Sequence, residues 1–148
     1  MKTIVALVDF SDATPGVIEQ TQKMAKAFNA QVVVLHAVPK EPVVLELGLA
    51  SPVILAVPSE EVVQADYARL LRIRDTLTQA GVGATVQQLR EGGVGRLVEE
   101  SARLNADLIV LGTHHHSAVY HWFIGNFASD ALKLAHCPVL VVPSEASA

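Results

Sequence analysis

Thr3-Ile4-Val5-Ala6-Leu7-Val8 is the stretch whose reading decides the fold. It is a short, nearly continuous apolar run with several β-branched residues, the pattern of a parallel strand covered on both faces. Val32 to Val38, Leu108 to Leu111 and Val139 to Val142 are runs of the same kind. Ala84 to Leu89 alternates more and reads as a strand nearer one side of the sheet.

The segments between these runs have helical spacing. From Pro15 to Asn29, Val17, Thr21, Met24 and Phe28 recur at steps of four, three and four. Pro15 suits a first helical turn, where its missing N–H costs nothing. From Ser59 to Ala80, Val63, Tyr67, Leu70, Ile73 and Leu77 form a long apolar stripe. Ser59 is placed to cap this helix, Glu60 and Glu61 favour its first turn, and Gly81 ends it. Val94 to Leu104 and Asn126 to His136 complete the helices. The alternation predicts an α/β domain with a doubly wound parallel sheet and right-handed crossovers.

The segment from Pro39 to Pro58 interrupts this pattern. Its four prolines bar a continuous helix. It reads as a loop with a short extra strand, packed on the core; a lid or partner surface is the alternative.

A chain of 148 residues fits one domain, and 51% hydrophobic residues against 18% charged ones exclude disorder. With aromatics at 5%, Val, Leu, Ala and Ile must build the core. Eleven basic against fifteen acidic residues give a net charge of −4, with no basic cluster, which argues against nucleic acid as partner. The longest apolar stretch, Val43 to Val57, is broken by Glu46, Gly48 and Pro52, too short to span a bilayer. The N-terminus shows no signal-peptide cleavage site, and the chain reads as cytoplasmic. The single cysteine, Cys137, excludes an internal disulfide and reads as a buried structural thiol.

In a doubly wound sheet, ligands bind beyond the carboxyl ends of the strands, where strand order reverses. That rule selects Asp9, Val38-Pro39, Arg90 to Gly95 and the segment from Gly112 onward. Asp9 can accept a hydrogen bond from a ligand amine or ribose hydroxyl. Equally, Asp9, Ser11 or Asp12 can cap the next helix. Gly112 follows the Leu108 to Leu111 run, where glycine permits a sharp turn or close ligand approach. Gly125 precedes the last helix, whose N-terminal N–H groups favour an anion.

Taken together, several segments resemble the universal stress protein family over nearly the whole chain. They are Ile4 to Ser11, His36-Ala37-Val38, Arg90-Glu91-Gly92, Ala106 to His114 and Cys137 to Pro143. The resemblance implies a Rossmann-like, five-stranded parallel sheet of order 3-2-1-4-5, with helices on both faces. It places the domain over residues 1–143; the remaining 144–148, small residues and one acid, read as a frayed tail. Many members bind ATP through Gly, two residues, Gly, nine residues, Gly and then Ser or Thr. Gly112 and Gly125 match the first and third glycines; His115 replaces the second, and Asn126 replaces the hydroxyl residue. Ala128 stands where another Ser or Thr is common. By the same resemblance Asp9 and Val38 meet the adenine and ribose end.

The resulting nucleotide site comprises Leu7, Val8, Asp9, Val38, Leu111, Gly112, His115, Gly125, Asn126, Phe127 and Ala128, with ATP, ADP or AMP as ligand and Mg with ATP. A histidine ring at His115 intrudes where a phosphate would lie, whereas backbone donors at Gly125 to Phe127 survive the changes. The alternative is a non-nucleotide, dimeric interaction protein, motivated by His115, Asn126 and Ala128. His114-His115-His116 and His121 read as solvated or phosphate-facing rather than as a metal site, because adjacent loop histidines diverge. Tyr120, Trp122 and Phe123 read as anchors of the loop. The chain lacks Gly-x-Ser-x-Gly, a Walker loop and convincingly paired acids, so an enzyme ranks last. Pro138 to Val142 reads as an edge strand, and the resemblance implies a homodimer through it.

Overall fold

The computed structural model describes residues 1–39, 42–45, 48–90, 93–113 and 127–144. The elements in chain order are β1 (Thr3–Leu7), α1 (Thr14–Phe28), β2 (Gln31–Ala37), β3 (Val43–Leu45), β4 (Val53–Leu55) and α2 (Glu60–Gln79). They continue with β5 (Ala84–Leu89), α3 (Val94–Arg103), β6 (Leu108–Thr113), α4 (Phe127–Leu134) and β7 (Val139–Pro143).

Five strands form one parallel sheet in the order β5-β2-β1-β6-β7. Counting only these five, this is the expected order 3-2-1-4-5. The apolar runs are continuous because the inner strands are covered twice. Ile4, Ala6 and Val8 pack with Val17 and Ala25 of α1 and Leu70 and Leu77 of α2. Val5 and Leu7 point the other way, towards Leu97 and Val98 of α3 and Ala131 of α4. β5 and β7 are the two edges, and β5 is the more exposed alternating strand, as its sequence predicts.

Helix ends follow their local chemistry. Pro15 lies in the first turn of α1, and Asn29 closes that helix in the left-handed conformation (φ 52°). The Ser59 hydroxyl accepts from Val62 N–H at the start of α2. Gly81, with φ 87°, turns the chain out of α2. Asp107 ties the amino ends of β1 and β6 together: one of its oxygens accepts from Lys2 N–H at 2.7 Å and Thr3 N–H at 2.9 Å. These two donors hold its carboxyl below the usual range.

Several expectations need correction. Phe28 points along the α1 stripe but is its last residue, beside the turn at Asn29, and is half exposed; Ala25 is buried instead. Tyr67 is likewise exposed on α2. The proline-rich insert contains two strands, β3 and β4, paired antiparallel in a sheet of their own. Its Leu49 and Ile54 are 66% and 64% exposed, so these side chains do not pack on the core. α4 ends two residues early, at Leu134. Cys137 is only half-buried, although that burial still raises its thiol pKa. Ser144 is buried and its N–H donates to the Thr113 carbonyl at 3.2 Å, so sheet-like bonding reaches into the segment read as tail.

Candidate functional site

β1 neighbours β2 on one side and β6 on the other, so strand order reverses at this central pair. Ala6 is in register with Val110, which brings Asp9 and Gly112 to the same end of the sheet. Leu7, Asp9, Leu111, Gly112 and Phe127 line one small void there, together with Ala13, Thr14 and Val17 of the α1 entry. Its volume, about 10 Å³, suits a single water molecule.

Asp9 serves the turn into α1. Its Oδ1 accepts from Ser11 N–H at 3.0 Å and from the Thr14 hydroxyl at 3.5 Å. Ser11 Oγ in turn accepts from Ala13 N–H at 3.2 Å. The N-cap itself is Ala13, which has no capping side chain. The local role considered for Asp9 is therefore realised one turn ahead of the helix, through consecutive side-chain-closed turns.

Gly112 departs from its sequence reading. It lies within β6, paired with Val142, and does not follow the strand. Its φ is not among the positive ones, so no sharp turn requires glycine here. The requirement is packing: a Cβ at Gly112 would lie 2.6 Å from Ala13 Cβ and 3.2 Å from Val17 Cγ2. Glycine lets α1 approach the sheet.

The remaining expected residues divide. Val8 is buried; its N–H donates to Leu35 O at 2.9 Å. Val38 is buried at the end of β2, with its N–H committed to Leu89 O at 2.6 Å. Neither lines the void shared by Asp9 and Gly112. Phe127 is buried, and Ala128 packs partly against the same core face, at the start of α4. His115, Gly125 and Asn126 lie outside the described residues, as do His114, His116, Tyr120, His121, Trp122 and Phe123.

A second group beside the site escaped sequence reasoning. His36, in β2, is 2% exposed, and its Nδ1 lies 3.0 Å from the Val8 carbonyl oxygen. Its Nε2 is 3.7 Å from Asp66 Oδ2. Asp66 Oδ1 accepts from Arg69 at 3.3 Å. Phe10, in the left-handed conformation at φ 59°, places its ring centroid 4.7 Å from that of His36. The Arg69 guanidinium carbon lies 4.2 Å from the Phe10 centroid, a cation–π distance. Burial lowers the His36 pKa, outweighing the Val8 hydrogen bond and the Asp66 and Asp9 charges; Arg69 also lowers it. The available signal was a histidine inside the apolar run Val32 to Val38.

Among the described residues no cluster of His, Cys, Asp or Glu could hold a metal ion. Among the same residues, no helix is long and apolar enough to cross a membrane.

Comparison with known proteins gives a consistent picture. A family model described as the universal stress protein family matches residues 1–143. A universal stress protein of Methanocaldococcus jannaschii is 30% identical over 141 residues, covering 95% of this chain and 81% of the relative. A crystal structure of a universal stress protein in complex with cAMP aligns at TM-score 0.69 and 22% identity, covering 97% of this chain and 98% of the other. A universal stress protein from Archaeoglobus fulgidus in complex with dAMP aligns at TM-score 0.67 and 19% identity, covering 96% and 97%. At these identities the two structures speak for the fold.

Proposed function

The chain belongs to the universal stress protein family, and from that premise we propose that it is a cytoplasmic regulatory protein that binds an adenine nucleotide at the carboxyl ends of β1 and β6. The observation that carries this reading is the reversal of strand order there, with Asp9 and Gly112 both lining one void. That similar folds hold cAMP and dAMP supports the ligand class.

The void itself fits one water, whereas small-molecule sites run to about 300–1,000 Å³. The nucleotide therefore lies outside it, over the strand ends, with Asp9 and Val38 towards the nucleoside. Backbone N–H groups at Gly125 to Phe127 would meet the phosphates, as helix N-termini do for anions. AMP, ADP and ATP are the candidates, with Mg accompanying ATP. Mass spectrometry of protein purified without added nucleotide tests the reading. Absence of all three, together with no calorimetric binding at millimolar ATP, rejects it.

A second reading has its own support. Asp9 already closes the turn into α1, and Gly112 is explained by helix packing, so neither requires a ligand. In that reading the chain is a dimeric interaction protein that has lost nucleotide binding through His115, Asn126 and Ala128. His115→Gly with Asn126→Ser should then create ATP binding; tight ATP binding by the unaltered protein excludes it. Both readings place a homodimer at β7, an edge strand that can pair with its copy about a two-fold axis.

A further inference from the structure

We propose that His36 is a positioning residue for the crevice: through Nδ1–H it holds the Val8 carbonyl, and so sets the turn that presents Asp9. This rests on the nucleotide reading of the crevice, in which Val8 and Asp9 already figure; His36 is the residue it adds.

The geometry determines the tautomer. A carbonyl oxygen can only accept, so His36 Nδ1, 3.0 Å from Val8 O, carries the proton. Val8 is the last core residue before Asp9, and its own N–H is fixed to Leu35 O of β2. Both polar atoms of the Val8 backbone are thus bonded to β2, one through the ladder and one through a side chain.

The next residue but one is also held. Phe10 adopts φ 59°, a conformation that bulky residues rarely take without compensation. Its ring contacts the His36 ring, and the Arg69 guanidinium stacks on it. Arg69 also donates to Asp66, whose other carboxylate oxygen faces His36 Nε2 beyond hydrogen-bond distance. β2 and α2 therefore grip the residues on both sides of Asp9.

Two substitutions separate the donor from the bulk of the ring. His36→Asn retains a side-chain N–H near the Nδ1 position; His36→Leu fills similar space without a donor. AMP is the probe, titrated calorimetrically, and the His36 tautomer is read by long-range proton–nitrogen NMR of the wild type. The expected result is a proton on Nδ1, AMP affinity within about twofold for His36→Asn, and about tenfold weaker binding for His36→Leu, because the loosened turn must then be ordered on binding. Equal loss in both variants, undiminished binding in His36→Leu, or a proton on Nε2 overturns the proposal. If His36→Leu does not fold, the tautomer and His36→Asn decide: a tenfold loss in the latter is fatal. If the wild type binds no AMP at millimolar concentration, the nucleotide reading fails separately. Positioning is then judged by hydrogen exchange of the Asp9 to Ala13 amides, which must speed up in His36→Leu and keep the wild-type rate in His36→Asn.

Discussion

Gly112→Ala tests most directly what the glycine is for. The added Cβ would lie 2.6 Å from Ala13 Cβ, about an ångström inside the ordinary carbon–carbon separation of roughly 3.5–4.0 Å. Ala13 has no torsion that could move this atom away, and it is buried at the N-cap of α1. Relief requires the helix to move off the sheet, or β6 to shift against β1 and β7. Overpacking of this kind costs about 1–3 kcal/mol. Taking about 2 kcal/mol, and roughly 2–4 °C per kcal/mol for a domain of this size, Tm should fall by about 4–8 °C. Urea denaturation followed by circular dichroism measures the free energy. The control is a double-mutant cycle with Ala13→Gly, which deletes the facing atom. The nearest neighbour is then Val17 Cγ2 at 3.2 Å, so most of the loss should return as a coupling of about 1–2 kcal/mol. A cost below about 0.5 kcal/mol for Gly112→Ala, or no relief from Ala13→Gly, would refute the packing explanation.

Three further outcomes follow from the same structure. Thr21 is fully buried in α1, and its hydroxyl has no hydrogen-bond partner among the described residues; Thr21→Val should stabilise the fold by about 1 kcal/mol in urea denaturation, and a loss would show that the hydroxyl is satisfied. The His36 ring titrates near 6.5 when unfolded and lower when folded, so between those values the unfolded chain binds more protons and stability falls as pH drops. Comparing unfolding free energies at pH 7.5 and 5.5, wild type should lose more stability than His36→Asn; equal losses would contradict the buried neutral ring. Leu140 lies on the edge strand β7, and Leu140→Lys should turn a sedimenting dimer into a monomer while the helical signal remains. A wild-type monomer at micromolar concentration would remove the β7 dimer altogether.

Much of this molecule is legible in one dimension because its signals are local or periodic. The runs at Thr3, Val32, Leu108 and Val139 identify strands since a doubly covered parallel strand must be apolar on both faces. Ser59, Pro15 and Gly81 mark helix ends by chemistry that acts within a few residues. Phe28 and Tyr67 lie exposed on their stripes because helical spacing fixes a direction but not what lies there. The insert's pairing is illegible for a related reason: proline content excludes helix without naming a strand partner.

The site divides in the same way. Sequence alone determined that this chain is a doubly wound α/β domain and that Asp9 and Gly112 stand at the carboxyl end of its sheet. Tertiary structure decided what those residues do. It put Ala13 against Gly112, so the glycine serves helix approach, and it closed Asp9 onto Ser11 and Thr14. It also gathered His36 and Phe10 with Asp66 and Arg69 of α2, residues far apart in the chain. The physical reason is range. Periodicity and capping report forces along the chain, whereas a close approach or a side-chain clamp exists only after distant elements pack.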